Sequence, residues 1–405
     1  MKATCDREAL REGLAVINSV IPTKSTKPIL ENVCIVATDD HLELVGTDQE
    51  VSVRFKIDRC QVVEPGPVVV PARTAFDFVR DLSGETVTIA TGDSQCTITS
   101  GADSCDLVIA DATEYPVVPR FDDTGATTIQ GGNFTRLVGR TAFAAAKEPG
   151  RYAMHGVLTE LKDDKLRLVA TDGRRLSMAS IPVEMSGVDP ARAIVPTKGM
   201  QLFCRVIGDP LDQIRFAVRE DQVGLASKNA EIFARLIDGD FPQYEAVIPA
   251  ECGNRIEADA DTFARKLRLV SNVSGEETRA VRLRVKGEQL ELYGHSAGRG
   301  EATAHMDVDF KGEDGDIAFN PDYVLDGIKN GAPETVVLEF GQRTSPGKFH
   351  LGEEHVYIVM PITLETRSPP HVCSHPSARR PTTPRARGGR GAQARRADAP
   401  RGRAR

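Results

Sequence analysis

The sequence predicts an α+β fold in which one domain, made of two helices packed on antiparallel sheet, occurs three times in tandem. Two landmarks carry this prediction. A short turn sequence recurs at intervals of 124 and 124 residues, as Thr47-Asp48, Thr171-Asp172 and His295-Ser296. A proline in front of a helical pattern recurs at intervals of 125 and 125 residues, as Pro71, Pro196 and Pro321. Because two independent landmarks share one period, we interpret the chain as three copies of one domain.

The predicted helices lie two to a copy and are recognised by apolar residues spaced mainly three or four positions apart. In the first copy these residues are Leu10, Leu14, Ile17 and Ile21, followed by Phe76, Val79 and Leu82. In the second copy they are Phe134, Leu137 and Val138, followed by Leu202, Phe203 and Val206. In the third copy they are Phe263, Leu267 and Val270, followed by Val324, Leu325 and Ile328. Each helix is therefore expected to turn one apolar face to a core.

Segments of alternating apolar and polar residues predict the strands, for example residues 42–45, 165–169 and 289–293. Their period of two suits antiparallel strands with one face on the helices. The predicted domains are residues 1–120, 127–249 and 254–364. Residues 365–405 are rich in Arg, Pro and Gly and are predicted to be a disordered tail, because this composition cannot bury a core.

The charge of the chain is unevenly distributed. The tail holds eleven Arg against two acidic residues, a net charge of +9, whereas the whole chain carries −7, so the first 364 residues carry −16. An acidic body argues against a protein that binds nucleic acid on a basic outer surface. It leaves open a protein whose positive surface faces inward.

Several function classes lack their sequence signals. The chain has neither an apolar segment long enough to span a bilayer nor an apolar leader, which predicts a soluble cytoplasmic protein. Its eight cysteines include no Cys-x-x-Cys pair, so they are expected to be reduced thiols. His350 and His355 lie five positions apart, which misses the spacing of zinc proteases. We therefore expect no catalytic site, no metal and no cofactor.

Basic residues recur at helical spacing on five of the six predicted helices. The pairs are Arg7 and Arg11, Arg73 and Arg80, Arg136 and Arg140, Lys198 and Arg205, and Arg265 and Arg268. One such pair alone is typical of an ordinary solvated face. Its recurrence in an acidic body favours a shared positive surface.

The size of one repeat tests whether that surface can line a hole. A domain of about 120 residues has a diameter of roughly 35 Å, so a closed ring of three domains leaves a gap of only about 5 Å. A ring of six leaves about 35 Å, which admits a duplex about 20 Å across. A chain of this kind that encircles duplex DNA must therefore dimerise.

Four segments together resemble the bacterial DNA polymerase III beta subunit family, the sliding clamps. They are VPAR at 70–73, VATDGRRL at 169–176, DGDFPQYEAVIP at 238–249 and YIVMPITL at 357–364. The resemblance implies a head-to-tail homodimeric ring of six domains, with helices inside and sheets outside, threaded by duplex DNA without sequence preference. It implies a processivity factor without catalytic activity. Its partners would be the polymerase III alpha subunit, the clamp loader and other proteins with clamp-binding motifs.

The resemblance also implies roles for residues of this chain. A peptide-binding pocket between the second and third domains would involve Met154, Thr171, Gly173, Arg174, Arg175, Leu176, Pro242, Val247, Ile358, Met360 and Ile362. DNA contacts would come from Lys24, Lys27, Arg73, Arg80, Arg140, Arg151, Tyr152, Lys198 and Arg205. The subunit interface would join Cys105, Leu107 and Ile109 to Leu267, Leu269 and Val270. Ala153, Arg174 and Ala246 depart from the residues that relatives commonly carry.

Three alternatives stay open from the sequence. One is a clamp-like ring or adaptor that binds partner peptides without being loaded on DNA. The other two concern the tail, which is interpreted either as an Arg-rich arm that adds phosphate contacts or as a segment without function. The Thr47 turn, which lacks neighbours like those of the Thr171 turn, is expected to have a structural role only.

Overall fold

The computed structural model describes residues 1–147, 152–275 and 279–363. These residues contain six α-helices and 26 strands, and they follow the predicted threefold repeat of an α+β domain. The predicted tail, residues 365–405, lies outside the described residues.

The first domain has helices α1 (Arg7–Val20) and α2 (Ala72–Asp81). Its strands are β1 (Lys2–Asp6), β2 (Asn32–Ala37), β3 (Leu42–Thr47), β4 (Val51–Ile57), β5 (Cys60–Glu64), β6 (Gly66–Pro71), β7 (Thr86–Thr91), β8 (Gln95–Ser100) and β9 (Asp103–Val108).

The second domain has helices α3 (Gly131–Thr141) and α4 (Thr197–Arg205). Its strands are β10 (Thr127–Gln130), β11 (Gly156–Lys162), β12 (Lys165–Thr171), β13 (Arg175–Pro182), β14 (Ala191–Pro196), β15 (Gln213–Val218), β16 (Gln222–Ala226) and β17 (Ala230–Arg235).

The third domain has helices α5 (Ala260–Ser271) and α6 (Pro321–Gly331). Its strands are β18 (Asn254–Asp259), β19 (Val281–Lys286), β20 (Gln289–Ser296), β21 (Gly300–Asp307), β22 (Asp309–Lys311), β23 (Gly315–Phe319), β24 (Thr335–Phe340), β25 (Gly347–His350) and β26 (His355–Val359).

The recurring proline marks the start of the second helix in every domain. Pro71 and Pro196 are the residues just before α2 and α4, and Pro321 is the first residue of α6. Proline suits this place because its fixed φ fits the helix and its missing N–H would lack an intrahelical partner there. The period of 125 residues therefore reflects one repeated helix start.

Two of the four sheets cross from one domain into the next. A five-stranded sheet, in the order β5-β1-β7-β8-β9, lies within the first domain, and a four-stranded sheet, β21-β20-β19-β23, lies within the third. An eight-stranded sheet, β10-β15-β16-β17-β4-β3-β2-β6, joins the first and second domains. A nine-stranded sheet, β14-β11-β12-β13-β26-β25-β24-β18-β22, joins the second and third.

The two joints between domains have the same design. β4 pairs antiparallel with β17, with Val53 opposite Ile232, and β13 pairs antiparallel with β26, with Leu176 opposite Ile358. β4 and β13 each follow a Thr-Asp turn, and β17 and β26 are each the last strand of a domain. The chain therefore repeats one joint as well as one domain.

The helices form a layer of neighbours on the sheets. α1 packs against α2 and α4, α3 against α4 and α6, and α5 against α6. The buried apolar side chains of the first two domains form one continuous cluster, and those of the third domain form a second cluster. None of the helices in the described part of the chain is long and apolar enough to cross a membrane.

Candidate functional site

The turn between β12 and β13 is fixed by the side chains of Thr171 and Asp172. Thr171 Oγ1 donates to the carbonyl oxygen of Arg175 (2.7 Å) and accepts from the N–H of Gly173 (3.1 Å). Asp172 Oδ1 accepts from the N–H groups of Arg174 and Arg175 at 2.9 and 3.0 Å. Gly173 has φ of 85°, a left-handed conformation that glycine adopts without strain at Cβ. The Thr-Asp-Gly sequence therefore holds the start of β13 in one position.

Segments that are distant in sequence close around this turn. The N–H of Met360, which follows β26, donates to the carbonyl oxygen of Arg174 (2.9 Å). The segment before the third domain runs over the same sheet, beginning where the N–H of Ile237 donates to the carbonyl oxygen of Ile194 (2.8 Å). The turn, the end of β26 and this segment thus meet at the joint of the second and third domains.

A compact apolar cluster forms the floor between these segments. Its buried members are Leu158, Val169, Leu176, Ile194, Phe241, Tyr244 and Ile358. Ala153, Met178, Ile237, Ile248 and Val356 pack against it and are partly buried. We call this set the floor cluster. It is separate from the two main cores and lies where β13 and β26 pair.

The predicted pocket residues lie at different depths around the floor cluster. Met154, Thr171, Arg175, Leu176 and Ile358 are buried, Ile362 is half-buried, and Gly173, Arg174, Pro242, Val247 and Met360 are exposed. A Cβ on Gly173 would lie 3.5 Å from Cε of Met154, which brings these two residues together. Ile362 is bonded to a different part of the third domain, because its N–H donates to the carbonyl oxygen of Ala318 in β23 (2.8 Å).

Arg175 is buried, and its guanidinium is hydrogen-bonded within the protein. Its Nη1 donates to Oδ2 of Asp326 on α6 (2.7 Å), its Nε to Oδ2 of Asp172 (3.1 Å), and its Nη2 to the carbonyl oxygen of Phe143 (3.3 Å). The guanidinium carbon also lies 4.7 Å from the ring centre of Tyr323. Burial acts to lower the pKa of Arg175, but the hydrogen bond to Asp326 opposes it and the net shift is upward. The sequence pattern could not separate Arg175 from its neighbour Arg174.

Tyr244 anchors the segment that covers the floor cluster, and the sequence did not single it out. Its hydroxyl donates to Oε2 of Glu160 (2.8 Å) and accepts from Nη1 of Arg167 (3.4 Å). Burial raises the pKa of Tyr244 to about 12, so the phenol stays protonated and can donate to Glu160. Phe241 packs beside it with ring centres 6.5 Å apart. The position of the covering segment therefore depends on these two aromatic residues.

The helices differ in their balance of basic and acidic residues. α3 and α4 carry Arg136, Arg140, Lys198 and Arg205 and no acidic residue, and α5 carries Arg265, Lys266 and Arg268 against Asp261. α1 and α2 each carry as many acidic as basic residues. The positive charge of the helix layer is therefore concentrated on the second domain and on α5.

Six of the nine predicted DNA contacts are exposed on the surface. Lys24, Lys27, Arg73, Arg80, Lys198 and Arg205 are exposed. Four of them have polar partners: Lys27 donates to Gln49 (3.3 Å), Arg73 donates to Thr23 (3.4 Å), Lys198 pairs with Asp48, and Arg80 pairs with acidic residues of its own helix. Arg151 and the side chain of Tyr152 lie outside the described residues.

Two of these predicted contacts have alternative roles in the structure. Arg80 makes ion pairs with Asp77 (2.7 Å) and Asp81 (2.9 Å), which neutralise it on its own helix. Arg140 is half-buried, and its Nη1 donates to the carbonyl oxygen of Glu353 (3.2 Å). Burial lowers the pKa of Arg140 and nearby Arg136 adds to the effect. Arg140 thus packs into the joint of the second and third domains, whereas Arg136 is exposed.

The predicted subunit interface involves the end of β9 and helix α5, which packs against β21. β9 ends one sheet and β21 ends another. Val108 at the end of β9 is 76% exposed and Leu269 on α5 is also exposed, whereas Leu107 is buried and Cys105 and Ile109 are half-buried. Leu267 and Val270 are buried in the core of the third domain. A spacing of three places Leu267 and Val270 on the inner face of α5, and Leu269 points outward.

Comparison with known families accounts for nearly the whole described chain. Models of the N-terminal, central and C-terminal domains of the DNA polymerase III beta subunit match residues 1–119, 128–243 and 245–362. The chain belongs to this family. The resemblance predicted from the sequence is thereby confirmed, and the protein is a DNA sliding clamp built from three α+β domains.

Individual relatives agree with this assignment. The clamp is 30% identical to the beta sliding clamp of Salmonella typhimurium over 367 residues, which cover 90% of this chain and all of the relative. It is 30% identical to that of Caulobacter vibrioides, over 85% of this chain and 95% of the relative. Two solved structures superpose with a TM-score of 0.86 and cover 90% of this chain: a Pseudomonas aeruginosa clamp bound to griselimycin (28% identical, fully covered) and a Bacillus subtilis clamp (25% identical, 99% covered).

Proposed function

We propose that two copies of this clamp close head-to-tail into a ring around duplex DNA, and that the ring tethers the replicative polymerase without catalysing a reaction itself. The repeated joint carries this proposal. Two joints, β4 with β17 and β13 with β26, form within one chain. The strands in the corresponding places of the third and first domains are β21 and β9, and both are sheet edges. Pairing β21 of one copy with β9 of the other would satisfy the open backbone groups of both edges.

Exposed apolar residues support the same interface. Val108 lies on β9, and Leu269 projects from α5, the helix that packs against β21. Exposed apolar side chains at a sheet edge favour contact with another protein surface. Leu267 and Val270 contribute indirectly, by fixing the position of α5 in the core.

The helix layer supports DNA passage through the ring. Six domains leave a hole of roughly 35 Å, wider than a duplex of about 20 Å. The exposed basic residues of α3, α4 and α5 would meet phosphates, and phosphate contacts allow sliding because they carry no sequence information. Arg136 and Arg205 are the foremost candidates in the second domain, where the helices carry no acidic residue, whereas Lys198 already pairs with Asp48 of the first domain.

The joint of the second and third domains is proposed as the partner site. The floor cluster is apolar, and Pro242, Val247 and Met360 stand exposed around it. Apolar walls with an adaptable Met suit short peptides of varied sequence. The polymerase III alpha subunit, the clamp loader and other proteins with clamp-binding motifs would compete for this site.

Retention on DNA tests the proposal. The full chain is loaded by a clamp loader on a nicked circular plasmid, and we expect it to stay bound through gel filtration and to be released when the plasmid is linearised. Light scattering at micromolar concentration should give the mass of a dimer. Equal retention on circular and linear DNA would contradict encirclement and favour the adaptor alternative. A stable monomer would contradict the closed ring.

A further inference from the structure

The joint of the first and second domains contains a second copy of the partner-site turn. Thr47 Oγ1 donates to the carbonyl oxygen of Val51 (3.0 Å) and accepts from the N–H of Gln49 (2.9 Å). Asp48 Oδ1 accepts from the N–H groups of Glu50 and Val51 at 2.9 and 2.6 Å. These four bonds repeat, atom for atom, those made by Thr171 and Asp172.

The chain that closes over this turn is also equivalent. The N–H of Arg235 donates to the carbonyl oxygen of Glu50 (2.8 Å), as the N–H of Met360 does to that of Arg174 (2.9 Å). Buried Tyr115 precedes Pro116, as buried Phe241 precedes Pro242. The backbone frame of the partner site therefore exists twice in one chain.

The side chains at the two joints differ, and a cavity lies at the first joint. Ser52 stands where the partner site has Leu176, and a cavity of about 360 Å³ lies at this joint, within the range of about 300 to 1,000 Å³ usual for ligand sites. Phe233 takes the place of Ile358 and contributes to the lining, together with Pro116, Val117 and Pro119. Val117 is 96% exposed, so its whole side chain is available for contact. We call this space the first-joint groove.

We propose that the first-joint groove binds a short extended segment of a partner protein in which an apolar residue lies beside a basic one. The apolar residue would pack on Phe233 and Val117. The basic residue would face the carboxylates of Glu50 and Asp221, which line the groove and are exposed. This site is distinct from the partner site between the second and third domains and does not depend on ring closure.

Charge complementarity decides the class of peptide. Glu50 occupies the turn position that Arg174 occupies in the partner site, so the charge at the entrance is reversed. Arg235 occupies the position of Met360 and places one cation at the far end of β17. Since opposite charges select partners and like charges reject them, the two grooves would accept different peptides.

Backbone strain at Gln49 supports a binding role over the purely structural role expected from the sequence. Gln49 has φ of 76°, close to the 85° of Gly173, but it carries a side chain that disfavours this conformation. Residues held in such conformations cluster at binding sites. Gln49 is exposed and lines the groove; its Oε1 accepts from Lys27, and its amide N–H groups are available to donate to the main chain of an extended peptide.

Two probes of opposite charge and identical apolar residues test the proposal: fluorescein-labelled Lys-Leu-Lys-Val-amide and Asp-Leu-Asp-Val-amide. Binding is measured by fluorescence anisotropy on the full chain carrying Met360→Arg, which blocks the partner site and leaves the first-joint groove unchanged. We expect this protein to bind the lysine probe at least about tenfold more tightly than the aspartate probe, a difference of about 1.4 kcal/mol.

Two further substitutions test whether the lysine probe binds in the first-joint groove. Ser52→Leu copies Leu176 and should fill the groove, weakening the lysine probe at least about tenfold. Glu50→Arg copies Arg174 and should reverse the preference between the probes. Equal affinity for both probes, or an unchanged affinity for the lysine probe after Ser52→Leu, would overturn the proposal.

Two controls separate this proposal from ring closure and from folding. Retention of the Ser52→Leu protein on circular DNA should equal that of the parent chain, so a failure of the groove proposal is distinguishable from a failure of the ring. Should Ser52→Leu lower the thermal midpoint, Val117→Ser on the exposed rim replaces it, with the same two outcomes.

Discussion

Arg175 donates a hydrogen bond from Nη1 to Oδ2 of Asp326 at 2.7 Å and thereby ties the turn of the partner site to α6. The guanidinium lies between the rings of Tyr323 and Phe143, at 4.7 and 5.5 Å from their centres. One side chain thus links the partner-site turn, the end of the α3 segment and a helix of the third domain. We therefore expect the stability of the joint between the second and third domains to depend on this arginine.

Replacing Arg175 by Ala should lower the free energy of unfolding by about 3 kcal/mol, because it leaves Asp172 without its partner and removes the stacked guanidinium. Asp326→Ala should cost only about 1 kcal/mol, since the Asp326 side chain is half exposed. Urea denaturation measures both values, with Arg174→Ala, at the neighbouring exposed position, as the control. Equal losses for Arg175→Ala and Arg174→Ala would contradict the role of Arg175 as a structural link.

His355 should make the same joint sensitive to acid. It is buried, and its Nε2 lies 2.9 Å from Oγ of Ser177. Burial, with the nearby cation of Arg140, lowers the pKa of His355 from 6.5 to about 4. The unfolded chain therefore binds a proton below about pH 6.5 while the folded chain does not. Stability from this group is complete above pH 6.5 and is lost as the pH falls toward 4.

The expected loss between pH 7 and pH 5 is about 2 kcal/mol. Urea denaturation at the two pH values, on the parent chain and on His355→Gln, isolates the contribution of His355 from that of the carboxylates. The loss in the parent chain should exceed the loss in His355→Gln by this amount. An identical pH dependence in the two proteins would show that His355 titrates normally.

The sequence predicted the repeated domain well because the signal is local. Helical spacing in α1 and the proline before α2 depend on neighbouring residues, and both lie where the pattern placed them. Ile21 and Leu82, the last apolar residues of the two patterns, are the C-cap residues that directly follow the helices. The pairing of β4 with β17 was not predicted, because it joins strands some 180 residues apart and no local pattern encodes such a contact.

The sequence did not predict which side chains are buried where tertiary packing decides the direction of a residue. Arg136 and Arg140 lie four residues apart on one helical face, yet only Arg140 is covered by the third domain. Leu267 and Leu269 are two residues apart on α5, and one is buried while the other is exposed. Such differences depend on which element lies against the helix, which the sequence of the helix itself does not contain.

The salt dependence of DNA binding should separate free from neutralised cations. Arg205→Gln should reduce the slope of log affinity against log salt by about 0.9, the value for one lost phosphate contact. Arg80→Gln should change the slope much less, because Arg80 already pairs with Asp77 and Asp81. Fluorescence anisotropy of a labelled duplex, titrated with each protein from low to moderate NaCl, provides both slopes. Slopes equal to that of the parent chain in both variants would place both residues outside the DNA contact, and an equal reduction in both would contradict the difference expected between them.

Charge at one sheet edge should break the dimer, and charge at the other edge should not. Val108 lies on β9 and Val63 on β5, at the two ends of the same sheet, and they are 76% and 60% exposed. Val108→Asp should give a monomer at micromolar concentration, since it would bury a charge in the proposed interface. Val63→Asp, the matched control, should remain a dimer. Light scattering after gel filtration measures the mass. A dimeric Val108→Asp protein would show that the interface does not involve β9.

The exposed rim of the partner site offers a cleaner test than its floor. Leu176 is buried in the floor cluster, so Leu176→Asp should lose about 4 kcal/mol of stability and would confuse unfolding with lost binding. Met360 is 38% exposed, and its bond to Arg174 uses only the main chain, so Met360→Asp should keep the fold and the dimer. We expect Met360→Asp to abolish stimulation of processive synthesis by polymerase III on a primed circle, at an unchanged thermal midpoint. Full stimulation by this variant would mean that partners dock elsewhere on the clamp.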